Sequence, residues 1–322
     1  MKKNKNYGVI VLQDKIPNEL ETDYSQIESI VKQIQKSSNN KGNKLILEFN
    51  EAYIQKLDEL RIEGEVTPSQ IYDKIKELKV IRDIYLDFLD SLLNMEVNLT
   101  DVITNLMEKV YNSLLDGYTR NTEPYWFYIW ETFICSVTFL KYHEKYKELH
   151  EILSHTYFLK KNGSQLEEAN YIRFYRDIGP GEVLENEYKP TTEKAKLITL
   201  TGEMLCDREK KPIYTKKSLS EADVLLYQLS ECIEMFQNEG HPNTWFPISY
   251  PYFENPSNQW IKLKSRKYCE KILPLFNADS IESLKEIIKE CKEDQKIKHM
   301  GVFGYAPHIL SSIKIEDIGS MN

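Results

Sequence analysis

YWFYIWETFICSVTFL, from Tyr125 to Leu140, is sixteen residues that carry a single charge, Glu131. Trp126, Phe127, Ile129, Trp130, Phe133, Ile134, Val137 and Leu140 make the stretch overwhelmingly apolar, so it reads as a helix enclosed on nearly every side. An all-round apolar helix needs other elements packed about it, which predicts a helical body with one substantial core. The run is shorter than the roughly 20 residues a bilayer requires, contains an acid, and is rich in aromatics where membrane spans favour aliphatics. It is core rather than membrane.

Working outward, Thr67, Pro68 and Gln70 supply an N-cap, a first-turn proline and a partial capping box. The helix they open runs to about Asn94, with Ile71, Ile75, Leu78, Ile81, Tyr85, Leu89 and Leu92 on one stripe and Asp83, Asp87 and Asp90 off it. A second helix, Thr100 to Gly117, lines Val102, Leu106, Val110 and Leu114 along one face. Beyond the aromatic helix, Asp177-Ile-Gly-Pro-Gly181 marks a turn, and a long loop is expected over residues 178–192. Ser218 with Glu221 forms a capping box before Val224, Leu225, Tyr227 and Leu229, while a last helix starts from Asp279 or Ser280 and runs to about Glu290. Four prolines between His241 and Pro256 make that tract extended and non-helical.

At the N-terminus, Tyr7 to Leu12 is a short β-branched run, Ile27, Ile30, Val31 and Ile34 recur at helical spacing, and Lys44 to Phe49 fits either a strand or a helix start. The polar Ser37 to Asn43 segment divides an N-terminal arm or small cap, residues 1–43, from a helical domain, 44–322, with a possible subdivision near 178–192. The expected class is mainly α: a multi-helix globular bundle with a small α/β or irregular N-terminal segment.

Composition narrows the function classes. The 322 residues carry a net charge of −8, which disfavours broad nucleic-acid affinity. Five widely spaced cysteines contain no Cys-x-x-Cys pair, as expected of reduced thiols in a cytoplasmic protein. No secretion signal is recognisable. Phosphate-cradling glycine loops, the nucleophile elbow, His-Glu-x-x-His and the Arg-x-x-x-x-His ribonuclease signature are all missing, and no cofactor or metal is implied.

A few constellations bear on chemistry. Glu131 could be a pKa-shifted acid, but a lone carboxylate in an apolar helix is ordinarily paired with a buried Arg or bonded to a Tyr. His143, His150 and His155 lack metal-ligand spacing. Asp177, Glu187 and Lys189 superficially match the acid followed by Glu-x-Lys of metal-dependent nucleases, although those triples belong on strands and here they flank a loop. Trp245, Phe246, Tyr250 and Tyr252 are partner-binding candidates or cover for the core. Lys262, Lys264, Arg266 and Lys267 form a basic strip beside Trp260 and Tyr268, either a nucleic-acid contact or a solvated helix face.

Several blocks together resemble the helical region that lies C-terminal to TIR-type effector domains in bacterial anti-phage and conflict proteins. They include VIRDIYLDF (80–88), WETF (130–133), LHEIL (149–153), TYFL (156–159), EADVLLY (221–227), Trp245-Phe246-Pro247, KSRKY (264–268) and LPLF (273–276). The likeness spans about residues 45–318. It implies a helical sensing, scaffolding or regulatory body; with only about 43 residues ahead of it, too few for a TIR fold, no catalytic residue carries over. The implied partner is an effector or ATPase chain of the same system, or a phage protein. A metal-dependent nuclease and a nucleic-acid-binding module are the alternatives.

Overall fold

A computed structural model describes residues 23–37, 42–115, 119–161, 165–175, 181–232, 245–253, 260–290, 309 and 312–322. Among them the chain is mainly helical, with eleven α-helices and one two-stranded hairpin. The N-terminal helices are α1 (Ser25–Lys36), α2 (Gly42–Glu59), α3 (Pro68–Glu77), α4 (Lys79–Leu92) and α5 (Leu99–Leu114). The aromatic stretch becomes α6 (Glu123–Tyr142), followed by α7 (Tyr146–Ser154), β1 (Tyr157–Lys161) and β2 (Gln165–Ala169). Then come α8 (Leu200–Asp207), α9 (Lys216–Cys232), α10 (Arg266–Ile272) and α11 (Ile281–Glu290).

Helix α6 is the axis of the body. Every residue from Glu123 to Leu140 is buried, and α3, α4, α5, α7 and α9 pack around it. Its second residue is Pro124, whose missing N–H costs nothing in the first helical turn. Ile27, Ile30, Val31 and Ile34 of α1 belong to the same apolar cluster, so the first described helix shares its core with the rest. Residues Tyr7 to Leu12, Gly117 and Gly179 lie outside the described residues.

The expected helix from Pro68 to Asn94 is two helices that bend at Leu78. The bend needs no Pro or Gly; it keeps Leu78 buried while α3 lies on α6 and α4 reaches both α1 and α6. The Thr67 capping box is formed, with the Gln70 N–H donating to Thr67 Oγ1 and the Thr67 N–H to Gln70 Oε1. Lys44 to Phe49 is helical, and α5 starts at Leu99, capped by Asn98. The 178–192 loop is corrected where it is described. From Leu184 to Lys196 the chain winds through short π and 3-10 turns, pinned to α3 by Tyr188 stacking on Tyr72 at 4.6 Å. Helix α9 starts a turn earlier than Ser218, because Thr215 and Ser218 exchange the capping bonds: each side-chain oxygen accepts the other's backbone N–H. Ser280 caps α11 in the same way with Ser283.

The hairpin was not expected. Tyr157 pairs with Ala169 and Lys161 with Gln165, antiparallel. Its outer edge along β1 is closed by α5 side chains: Asn112 Nδ2 donates to the Phe158 carbonyl (2.9 Å), while the Lys160 N–H donates to Asn112 Oδ1 (2.8 Å) and the Phe158 N–H to Glu108 Oε1 (3.0 Å). A carboxamide thus stands in for a third strand. No helix among the described residues is long and apolar enough to cross a membrane.

Candidate functional site

A polar stripe runs down the otherwise apolar α6. Tyr128, Glu131, Thr132, Cys135 and Ser136 follow one another at three- and four-residue spacing and therefore share a face. That face meets Tyr53 of α2 and Arg82 and Tyr85 of α4. The Tyr128 and Tyr53 hydroxyls are hydrogen-bonded, and Tyr85 is joined to Ser136 at 2.7 Å. Thr132 and Ser136 donate back to the carbonyls of Tyr128 and Thr132, the local solution that lets a hydroxyl sit inside a helix.

Glu131 is the centre of the stripe. Arg208, just past α8, donates to both of its oxygens, Nε to Oε1 at 2.7 Å and Nη2 to Oε2 at 2.9 Å. Arg82 Nη1 lies 3.4 Å from Oε1 on the other side. The guanidiniums are themselves tied down: Arg208 Nη1 donates to the Ile75 carbonyl (2.5 Å) and Arg82 Nη2 to the Arg208 carbonyl (2.7 Å). Asp83 joins Arg82 at 2.9 Å and Lys79 at 2.6 Å. This network connects α3, α4, α6 and the end of α8. Burial pushes the Glu131 carboxyl upward, but the Arg208 and Arg82 charges more than offset it and hold the group below its ordinary range. Cys135, 3.7 Å from Arg82 Nη1, is pushed up to about 12 by burial despite that arginine. Neither group suits catalysis: the acid has no free oxygen for a proton, and the thiol does not ionise.

Arg208 also floors a 290 Å³ cleft walled by Tyr72, Lys76 and Lys79 on one side and Lys194, Glu203 and Met204 on the other. A further buried acid lies on α9. Asp223 accepts from Trp245 Nε1 (2.7 Å) and from the Ser249 N–H and hydroxyl (both 2.8 Å), which straps the Trp245 to Phe253 segment onto the core. Burial raises its pKa to about 6 in spite of those three donors.

The residues singled out in the sequence do not converge. Asp177 lies outside the described residues. Glu187 pairs with Arg120 at 2.6 Å near the surface, whereas Lys189 turns to Glu185 (3.1 Å) and the Ile198 carbonyl (2.8 Å). They sit on π-helical and 3-10 turns rather than on strands. Glu185 is the organised acid of that segment, accepting from Thr199 Oγ1 (2.6 Å) and the Thr201 N–H (2.8 Å) at the start of α8. Among the described residues no group of three His, Cys, Asp or Glu side chains is placed to hold a metal ion. His150 Nδ1 meets the Leu275 carbonyl at 3.0 Å, His155 faces Glu108 at 3.5 Å, and His143 packs on Phe139.

Of the partner-binding candidates, Trp245 and Phe246 are buried, Trp245 among Phe133, Tyr171 and Tyr175, while Tyr250 and Tyr252 are half-buried. Trp245 and Phe246 are corrected to core residues, because the Asp223 strap turns the segment inward. The basic strip is also not one helix face. It changes from a 3-10 turn (Ile261–Lys264) to α10 at Ser265, with Lys264 paired to Asp317 (3.2 Å), Lys262 over the Tyr268 ring, and Arg266 and Lys267 exposed.

Arg82, Arg208 and Asp223 are the residues that sequence reasoning missed. Arg82 left a signal, standing four residues after Leu78 and three before Tyr85 on the apolar stripe in a chain with only seven arginines. Arg208 and Asp223 left none. No protein-family model, curated protein or solved structure matches the chain.

Proposed function

We propose that the protein is a non-catalytic sensor, scaffold or regulatory component of a bacterial anti-phage defence system, working in the cytoplasm through protein–protein contacts. One observation carries the reading: the acid at the centre of α6 is fully committed, since Glu131 gives both oxygens to Arg208 and leans on Arg82. Chemistry of that kind holds helices together and leaves nothing for a substrate. The work then falls to the exterior, which is consistent with the resemblance of the sequence blocks to the helical bodies that accompany effector domains. An effector or ATPase chain of the same system, or a phage protein, is the partner in this reading.

Co-expression with neighbouring genes followed by co-purification tests it, together with phage plating on cells lacking the chain. Capture of a defence effector and loss of protection are the expected results. A solitary protein that is dispensable for resistance would overturn the reading, as would Mg²⁺-dependent nucleic-acid cleavage by the purified chain that disappears in Glu187→Ala.

A further inference from the structure

The hairpin has two edges, and the described residues close only one of them. Along β1 the backbones of Phe158 and Lys160 turn toward α5: both N–H groups donate to Glu108 and Asn112, and the Phe158 carbonyl accepts from Asn112. Backbone groups alternate sides along a strand, so Tyr157, Leu159 and Lys161 are the residues that bond across to β2, opposite Ala169, Glu167 and Gln165. The same alternation turns Leu166 and Glu168 outward. No described residue bonds the N–H or C=O of either one.

Native sheets blunt a bare edge with a proline, a bulge, an inward-pointing charge or a covering element. Strand β2 has no proline, and its register runs without a bulge from Gln165 to Ala169. Glu167, on the same face as the buried Tyr157 and Leu159, is held by Lys161 (2.9 Å) and Arg173 (3.2 Å). The opposite face carries Phe158, Lys160, Leu166 and Glu168. There Phe158 and Leu166 are diagonal neighbours, and at 49% and 55% exposed they are left open although the core lies one strand-face away. Lys160 lines the groove between α2 and α5, so the exposed Glu168 is paired with no described cation.

A bare ladder specifies its occupant more closely than an apolar patch does. The outward N–H and C=O groups demand an extended backbone, Leu166 with Phe158 an apolar side chain, and Glu168 a cation. We infer that β2 docks an extended segment of a partner protein as an added strand, with an apolar residue across from Leu166 and a lysine or arginine across from Glu168. A second copy of the chain fits less well, because two β2 strands paired over their full length set Glu167 against Glu167 and give Glu168 a leucine. The inference rests on the scaffold reading above and gives its partner a binding mode.

The peptide acetyl-Thr-Lys-Thr-Val-Thr-amide, laid antiparallel, sets its lysine across from Glu168 and its valine across from Leu166. Titrated into the full chain and followed by amide NMR, it should bind saturably and slow hydrogen exchange at the Leu166 and Glu168 amides. N-methylation of its lysine and valine, whose amides face β2 in this register, should abolish binding, while N-methylation of its central threonine should not. Glu168→Lys should weaken binding about tenfold and be rescued by a peptide with glutamate in place of lysine. Glu282→Lys, the same charge change on exposed α11, should bind as wild type does. The inference is overturned if the peptide fails to bind, if it binds without slowing those amides, or if the position of N-methylation makes no difference. It is equally overturned if Glu168→Lys binds as wild type does or Glu282→Lys weakens binding as much. Leu166 and Glu168 amides already protected in a chain that sediments at twice its mass would overturn it in favour of a second copy. Failed co-purification with intact, edge-dependent peptide binding strikes the scaffold reading alone, whereas a captured effector with no peptide binding strikes the docking edge alone.

Discussion

Glu131 is ionised in a place that would neutralise an isolated acid, because two guanidiniums hold its charge. Its folded pKa lies below the ordinary value, so its contribution to stability is present above about pH 4.3, the unfolded carboxyl's range, and fades as the pH falls further. Glu131→Gln leaves two buried arginines short of their counter-charge and should cost about 3–5 kcal/mol in urea unfolding. Asp223 has the opposite sign. With a folded pKa of about 6 against 3.8 unfolded, its contribution is complete below pH 3.8 and is lost as the pH rises through 6. Asp223→Asn should therefore flatten the decline in stability between pH 4 and 7 that this group imposes, measured as denaturation midpoints across that range. Cys135 and Cys206, both pushed up to about 12 by burial, should stay unalkylated by iodoacetamide in the native protein and react once it is unfolded, as read by peptide mass spectrometry. The sequence exposed Glu131 by its isolation among apolar neighbours. It gave no view of Arg208, 77 residues away, because an ion pair formed in space leaves no spacing in the chain.

Helix α6 was legible because burial on all sides writes itself into composition without any need for periodicity. The break at Leu78 was not: its φ of −60° and ψ of −11° are open to any residue, and tertiary packing alone selects it. The hairpin did leave a signal, Asn162-Gly163 between Tyr157-Phe158-Leu159 and Leu166, which is the dipeptide that tight hairpin turns favour. What the sequence could not convey is that α5 completes the sheet edge. Asn112→Ala removes a donor and an acceptor that β1 relies on and should cost about 1–3 kcal/mol. Hydrogen exchange at the Lys160 amide should quicken markedly, while amides of α6 keep their protection.

For the molecule as a body, the helical class could be read from the chain because amphipathic stripes and one enclosed helix suffice to specify it. The candidate site could not, since its acids and bases come from α4, α6 and the end of α8 and meet only after folding. The loop expected near 178–192 looked like a seam, yet Arg208 crosses it to Glu131 and α9 packs on α6. Cleavage between Tyr175 and Gly181 should consequently give two fragments with little ellipticity at 222 nm apiece, which regain native circular dichroism on mixing at equal molarity. A pair of peptides that assemble only in each other's company is a split reporter, and here a forked cation closing on an anion would be one fastener among the packed rings and helices that join them.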